Sequence, residues 1–141
     1  MATEGPIHVV TSFLRRGTRV LILKRSQDVR TNKGKWAGCS GYVEPGEVPV
    51  ETAYKELEEE VSAMPDQVRL VREAPPLTFL DAEHDTKWVV HPFLFDDLGV
   101  EVEMDWEHTD FRWIEPEELD NFDTVISLKR TLEAALDSKL A

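Results

Sequence analysis

"GYVEPGEVPVETAYKELEEEVSA", residues 41 to 63, begins on a glycine turn and ends with Glu56, Glu58, Glu59 and Glu60 crowded into five positions. Pro49 suits the first turn of a helix, where its missing N–H costs nothing, and it disfavours helix at Val48. The spacing therefore predicts a helix from about residue 49. At about 100° per residue, Val50, Ala53, Tyr54, Leu57 and Val61 share one apolar stripe. Glu51, Lys55 and Glu58 lie on the far side. Glu56, Glu59 and Glu60 fill the arc between, with Glu60 next to the stripe.

This placement works against stability. Glu56 and Glu60 are an i,i+4 like-charge pair, which costs ~0.2–0.5 kcal/mol. Both sit towards the negative end of the helix dipole, an effect of about 0.3–1 kcal/mol per exposed charge. Lys55 stands i,i+4 from Glu51 and Glu59 and offsets part of the repulsion only. Three carboxylates on successive turns are also the hard oxygen donors that Mg²⁺ and Mn²⁺ prefer. A solvated acidic face explains the helix equally well until more of the chain is read.

Outward from this helix, 141 residues predict one domain, with enough apolar content, 41%, to fill a single core. "HVVTSFL" and "RVLILKR" are strands joined by a hairpin turn at "RRGT", with Gly17 at its tip. "SQDVRTNKGKWAGCSG" reads as a long loop leading to a short strand near residues 39–43. "QVRLVRE", "LTFLD", "KWVVHPFLFD" and "TDFRWI" read as strands, with Pro92 expected at a bulge or an edge. "EPEEL" starts a helical turn at Pro116, and Val125, Leu128, Leu132, Ala135 and Leu136 fall at the spacing of a final amphipathic helix. A mixed α/β fold follows.

Charge is uneven. The net charge is −12, yet residues 1–35 carry eight basic side chains against Glu4 and Asp28. A basic rim for an anionic ligand is one reading, and solvated hairpin charge is the other. Overall acidity argues against a nucleic-acid surface. The single cysteine, Cys39, excludes an internal disulfide and is read as a buried thiol. No apolar run approaches a membrane span, and no leader is evident, so a cytoplasmic location is expected.

Read in order, Gly41, five residues, Glu47, seven residues, Lys55-Glu56-Leu57, one residue and Glu59-Glu60 resemble the Nudix box without a gap. The family pattern has arginine at the position of Lys55, glycine at Ser62 and a larger aliphatic at Ala63. Lysine lacks the two-pronged grip of arginine on a carboxylate. Serine in a left-handed position costs on the order of 1 kcal/mol. The resemblance implies a Nudix-like α/β/α sandwich, a mixed sheet between helices. It further implies that Glu56, Glu59 and Glu60 ligate Mg²⁺ or Mn²⁺, with the Gly41 carbonyl as a further ligand, while Glu47 braces the loop and helix. Glu44 is read as a turn residue.

By the same resemblance the chain hydrolyses the pyrophosphate bond of a nucleoside diphosphate linked to a group X, through attack of water at phosphorus. A nucleoside triphosphate or its oxidised form is the expected substrate. The resemblance implies a base that is either a box glutamate (Glu56, Glu59 or Glu60) or a glutamate from a later loop, for which Glu107 in "DWEHTDFRWIEPEEL" is the candidate; His108 is read as a polar surface residue. Arg25, Arg30, Lys33 and Lys35 are candidates for phosphate contact. Trp36, Phe79, Trp88 or Phe93 could stack on a base, although aromatics in strand runs usually belong to the core. A homodimer is expected from the family. Two rivals remain: a nucleotide-sensing module that binds without turnover, and an isopentenyl-diphosphate-isomerase-like enzyme. The second needs a histidine beside Cys39, which "CSGYVEP" lacks.

Overall fold

The structure, a computed structural model, describes residues 5–83 and 85–140; Glu4 lies outside that range. The longest apolar runs become strands whose central residues are buried on both faces. β1 (Ile7–Arg16) and β2 (Arg19–Arg25) form the expected hairpin, with Gly17 at φ 63 in the turn. A positive φ there matches the twist of the flanking strands, and glycine adopts it without a Cβ penalty. β3 (Trp36–Ala37) and β4 (Cys39–Tyr42) follow, then α1 (Pro49–Val61) and β5 (Val68–Glu73). β6 (Leu77–Asp81), β7 (Thr86–Asp97), β8 (His108–Ile114) and α2 (Leu128–Leu136) complete the described elements.

All eight strands join one mixed sheet. β1 runs parallel to β7 from Ile7↔Trp88 to Arg15↔Asp96, and the other pairings are antiparallel. β1 divides its second edge between β4, at Val9 to Ser12, and β2, at Arg15 and Arg16. Successive side chains alternate between the two faces. Val10 and Leu14 of β1, Leu21 and Leu23 of β2, and Phe93 and Phe95 of β7 pack with Ala53, Leu57 and Val61 of α1. Phe13, Val20, Ile22 and Leu94 pack with Leu128, Leu132 and Ala135 of α2. Each fully buried Leu or Phe contributes about 1.5–3 kcal/mol to this double core. The expected sandwich is present.

Several local expectations change. Pro92 is neither at a bulge nor on an edge: it pairs with Thr11 in central β7. Its carbonyl accepts the Ala74 N–H at 3.0 Å, and its ring nitrogen faces the junction where β7 passes from β6 to β5. A missing donor costs little where the partner strand changes. Val125 precedes α2, with its N–H bonded to the Trp36 carbonyl at 2.9 Å. Trp36, expected in a loop, forms β3 and meets Phe122 edge-on at 5.2 Å between centroids. "EPEEL" becomes the 3-10 turn Pro116–Asn121.

Candidate active site

α1 brings its acidic arc against the edge strand β4. Glu60 is only 2% exposed, because its place beside the apolar stripe turns it inward between α1 and the sheet. Its Oε1 accepts the Ser40 N–H at 3.4 Å. Glu56 lies against Gly41 so closely that a Cβ on that glycine would sit 2.6 Å from Glu56 Oε2. Gly41 is therefore glycine for space. Burial pushes up both carboxyls, that of the half-buried Glu56 and that of the buried Glu60, the latter well above the ordinary carboxylate range. Burial disfavours the charged form of a carboxyl.

The start of the same helix shows the opposite arrangement. Glu47 Oε2 accepts Lys55 Nζ at 2.8 Å, while its Oε1 accepts the Glu44 N–H at 2.9 Å and the Thr52 hydroxyl at 3.0 Å. Lys55 heads these partners in holding the Glu47 carboxyl down at about 2. Lysine thus reaches Glu47 rather than forming ion pairs with Glu51 or Glu59. Thr52 and a backbone amide supply the second prong that lysine lacks. At the far end Ser62 is left-handed, φ 63, and its hydroxyl donates to the Glu103 carbonyl at 3.1 Å.

Residues 103–108 close over that end. The Glu103 and Asp105 N–H groups each bond, at 3.2 Å, to the Val61 and Glu60 carbonyls that α1 leaves unpaired. The chain then enters β8, where Arg25 of β2 stands opposite His108 and the Ser26 N–H meets the Glu107 carbonyl at 2.7 Å. His108 is not at the surface: it is 7% exposed, with Nδ1 2.9 Å from Asp105 Oδ1 and Nε2 3.7 Å from Glu60 Oε1. Tertiary packing of β8 beside α1 overrides the polar character of "DWEHTD". Burial, and then Asp105, raise the Glu107 carboxyl.

These groups open on one cleft of about 1170 Å³. Gly41, Glu56, Glu59, Glu60 and Glu107 line it, as do Arg25, Arg30 and Lys35. Lys33 does not. Arg25 Nε donates to the Thr31 carbonyl at 3.0 Å, and Lys35 Nζ reaches Asp123 at 3.2 Å. Phe79 and Trp88 pair across β6 and β7 in its wall, with Tyr42 6.3 Å from Trp88. Phe93 and Trp36 belong to the two cores. Cys39 is buried against Glu60, outside the cleft lining, and burial followed by Glu60 raises its thiol well above the usual range. Sequence reading missed Asp105, for which the i,i+3 spacing to His108 was the only cue.

The residues fit a hard divalent cation. Among the described residues no three acidic, His or Cys side chains stand close enough together to hold a metal ion as they are placed. Glu56 fills the niche left by Gly41, the buried Glu60 follows one helical turn later with its Oε1 on the Ser40 N–H, and the exposed Glu59 stands on the rim of the cleft. Oxygen donors of this kind suit Mg²⁺ or Mn²⁺ rather than soft metals.

Nucleoside triphosphatase NudI from Escherichia coli K12 is 27% identical over 135 residues, covering 88% of this chain and 92% of that protein. The crystal structure of MutT protein from Methanosarcina mazei Go1 superposes with TM-score 0.72 at 24% identity, covering 96% of this chain and 94% of that one. A Caenorhabditis elegans Ap4A hydrolase gives TM-score 0.74 at 21% identity, with coverages of 93% and 98%. Among the described residues no helix is long and apolar enough to cross a membrane. The NUDIX domain family model matches residues 6–135, nearly the whole chain, and the chain therefore belongs to the Nudix family of pyrophosphohydrolases, enzymes that use divalent metal ions.

Proposed function

We propose that this chain, a single domain, hydrolyses the pyrophosphate bond of a nucleoside diphosphate linked to X, with a nucleoside triphosphate or its oxidised form as substrate. The observation that carries the reading is Glu56, pressed against Gly41, with Glu59 and the buried Glu60 beside it on α1, in the wall of a cleft that Arg25, Arg30 and Lys35 also line. Glu56 and Glu60 would hold Mg²⁺ or Mn²⁺, with Glu59 and the Gly41 carbonyl as further ligands. A bound ion of this kind neutralises phosphate charge, lowers the pKa of a water and aligns attack with departure. Glu107, on the same cleft, receives the proton from the attacking water. Arg25, Arg30 and Lys35 contact the phosphates, and Trp88 and Phe79 offer flat faces to the base.

Two of the three departures in the box are accommodated, which supports turnover over sensing alone. Glu47 is fully braced by Lys55 and Thr52, and Ser62 adopts the left-handed cap. The name of the NudI relative supports a triphosphate as the first substrate to try. A cytoplasmic location and a homodimer complete the proposal. The test is product release from nucleoside triphosphates, oxidised triphosphates, ADP-ribose, dinucleotide polyphosphates and nucleotide sugars, with Mg²⁺ or Mn²⁺, for wild type and Glu60→Gln. Metal-dependent turnover of one class, lost in the variant, is expected. Equal inertness of two folded proteins, with ligand-induced stabilisation of both, would favour the sensing module.

A further inference from the structure

We infer that His108 is a positioning residue: oriented by Asp105, it holds the Glu60 carboxylate where a divalent cation meets it. The inference rests on the reading of Glu60 as a metal-holding side chain.

The chain of contacts is short and buried. The His108 and Glu60 side chains are each 3% exposed, and 3.7 Å separates Nε2 from Oε1. On its other ring nitrogen His108 meets Asp105 Oδ1 at 2.9 Å. Asp105 is fixed in turn, because its N–H donates to the Glu60 carbonyl at 3.2 Å and its Oδ1 accepts the Glu107 N–H at 3.3 Å. The ring therefore cannot turn away without breaking the segment that covers the end of α1. Glu60 needs such a partner. A glutamate has three side-chain torsions, and ordering it costs up to about 2 kcal/mol of rotamer freedom. The Ser40 N–H holds the same Oε1 only at 3.4 Å. A ring packed 3.7 Å from that oxygen narrows its freedom further before any ion arrives. Groups that orient a ligand in this way typically change metal affinity about 10- to 100-fold when removed.

The test is Mn²⁺ binding, read from the electron paramagnetic resonance signal of the free ion, with thermal unfolding of each metal-free protein alongside. His108→Phe keeps the ring and removes both nitrogens, and is expected to weaken Mn²⁺ at least about ten-fold. His108→Gln restores a polar group that can donate or accept near the position of Nε2 and is expected to recover most of that loss. Equal affinity of wild type and a folded His108→Phe, with Glu60→Gln losing the ion, overturns the inference and leaves the site intact. Should His108→Phe not fold, Asp105→Ser leaves the ring in place without its orienting carboxylate; a several-fold loss is expected, and no loss overturns the inference. If Glu60→Gln binds Mn²⁺ as wild type does, the ion is elsewhere and both readings fall.

Discussion

α1 and α2 lie on opposite faces of one sheet and are built alike, apart from one buried carboxyl. Each lays a stripe of Leu and Ala, extended by Val61 in α1, on strands buried from both sides. Each buries one threonine whose hydroxyl is satisfied, Thr52 by Glu47 at 3.0 Å and Thr131 by the Ser127 carbonyl at 2.8 Å. Each closes on a left-handed residue other than glycine, Ser62 at φ 63 and Asp137 at φ 56. Only α1 places a carboxyl, Glu60, inside the packed face. The shared features belong to folding, and the difference marks where packing rules yield to chemistry.

The comparison breaks most visibly at Glu60 itself. Glu60→Gln is expected to lower metal-dependent hydrolysis by on the order of 100-fold or more, since it removes charge stabilisation at the reacting phosphate. Initial rates across a Mg²⁺ series check this. Leu132→Ala on α2 should do the reverse: about 2–5 kcal/mol less stable by urea unfolding, with unchanged turnover per folded molecule. If Leu132→Ala abolished turnover while folded, the two helices would not divide labour as described.

Acidity separates the two ends of α1 more gently. Glu60 has a pKa raised above 4.5, so the folded protein without metal holds more protons than the unfolded chain above that pH. Its contribution is fully present below pH 4.5 and is lost as pH rises through the raised value, at up to about 1.4 kcal/mol per pH unit. Glu47 runs the other way: its contribution is present above 4.5 and fades as pH falls towards about 2. Urea unfolding between pH 2 and 8, with Glu60→Gln as the control that flattens the upper limb, resolves the two. The smallest change is Ser62→Gly. Relief of the left-handed strain is worth about 1–2 kcal/mol. Loss of the hydroxyl bond to Glu103 offsets about 0.5–1.5 kcal/mol of this, so calorimetry should find a net gain below about 1.5 kcal/mol.

The sandwich was legible because continuous apolar runs and the 3.6-residue spacing of α1 are local signals. The acidic arc was legible for the same reason, down to Glu60 beside the stripe. What stayed hidden depends on contacts between distant segments. His108 looks like a surface residue until β8 pairs with β2 and carries it to within 3.7 Å of Glu60. Lys55 has two glutamates at helical spacing, yet its partner is Glu47, which the loop before α1 folds back to meet it. Pro92 reads as a bulge or edge residue because no sequence signal shows that its partner strand changes there. Val125 has the helical spacing, but its N–H is taken by the Trp36 carbonyl.

The most direct measurement is thermal unfolding of wild type and Glu60→Gln, each with and without Mg²⁺. Without metal, the variant should unfold at the same or a higher temperature, because it no longer buries an ionisable carboxyl. With Mg²⁺ at about 100 times its dissociation constant, wild type should gain about 2.7 kcal/mol and the variant little. A wild type that is the more stable protein without metal, and indifferent to Mg²⁺, would contradict the account: Glu60 would then be a structural acid, and the acidic end of α1 would not be the place where metal and pyrophosphate meet.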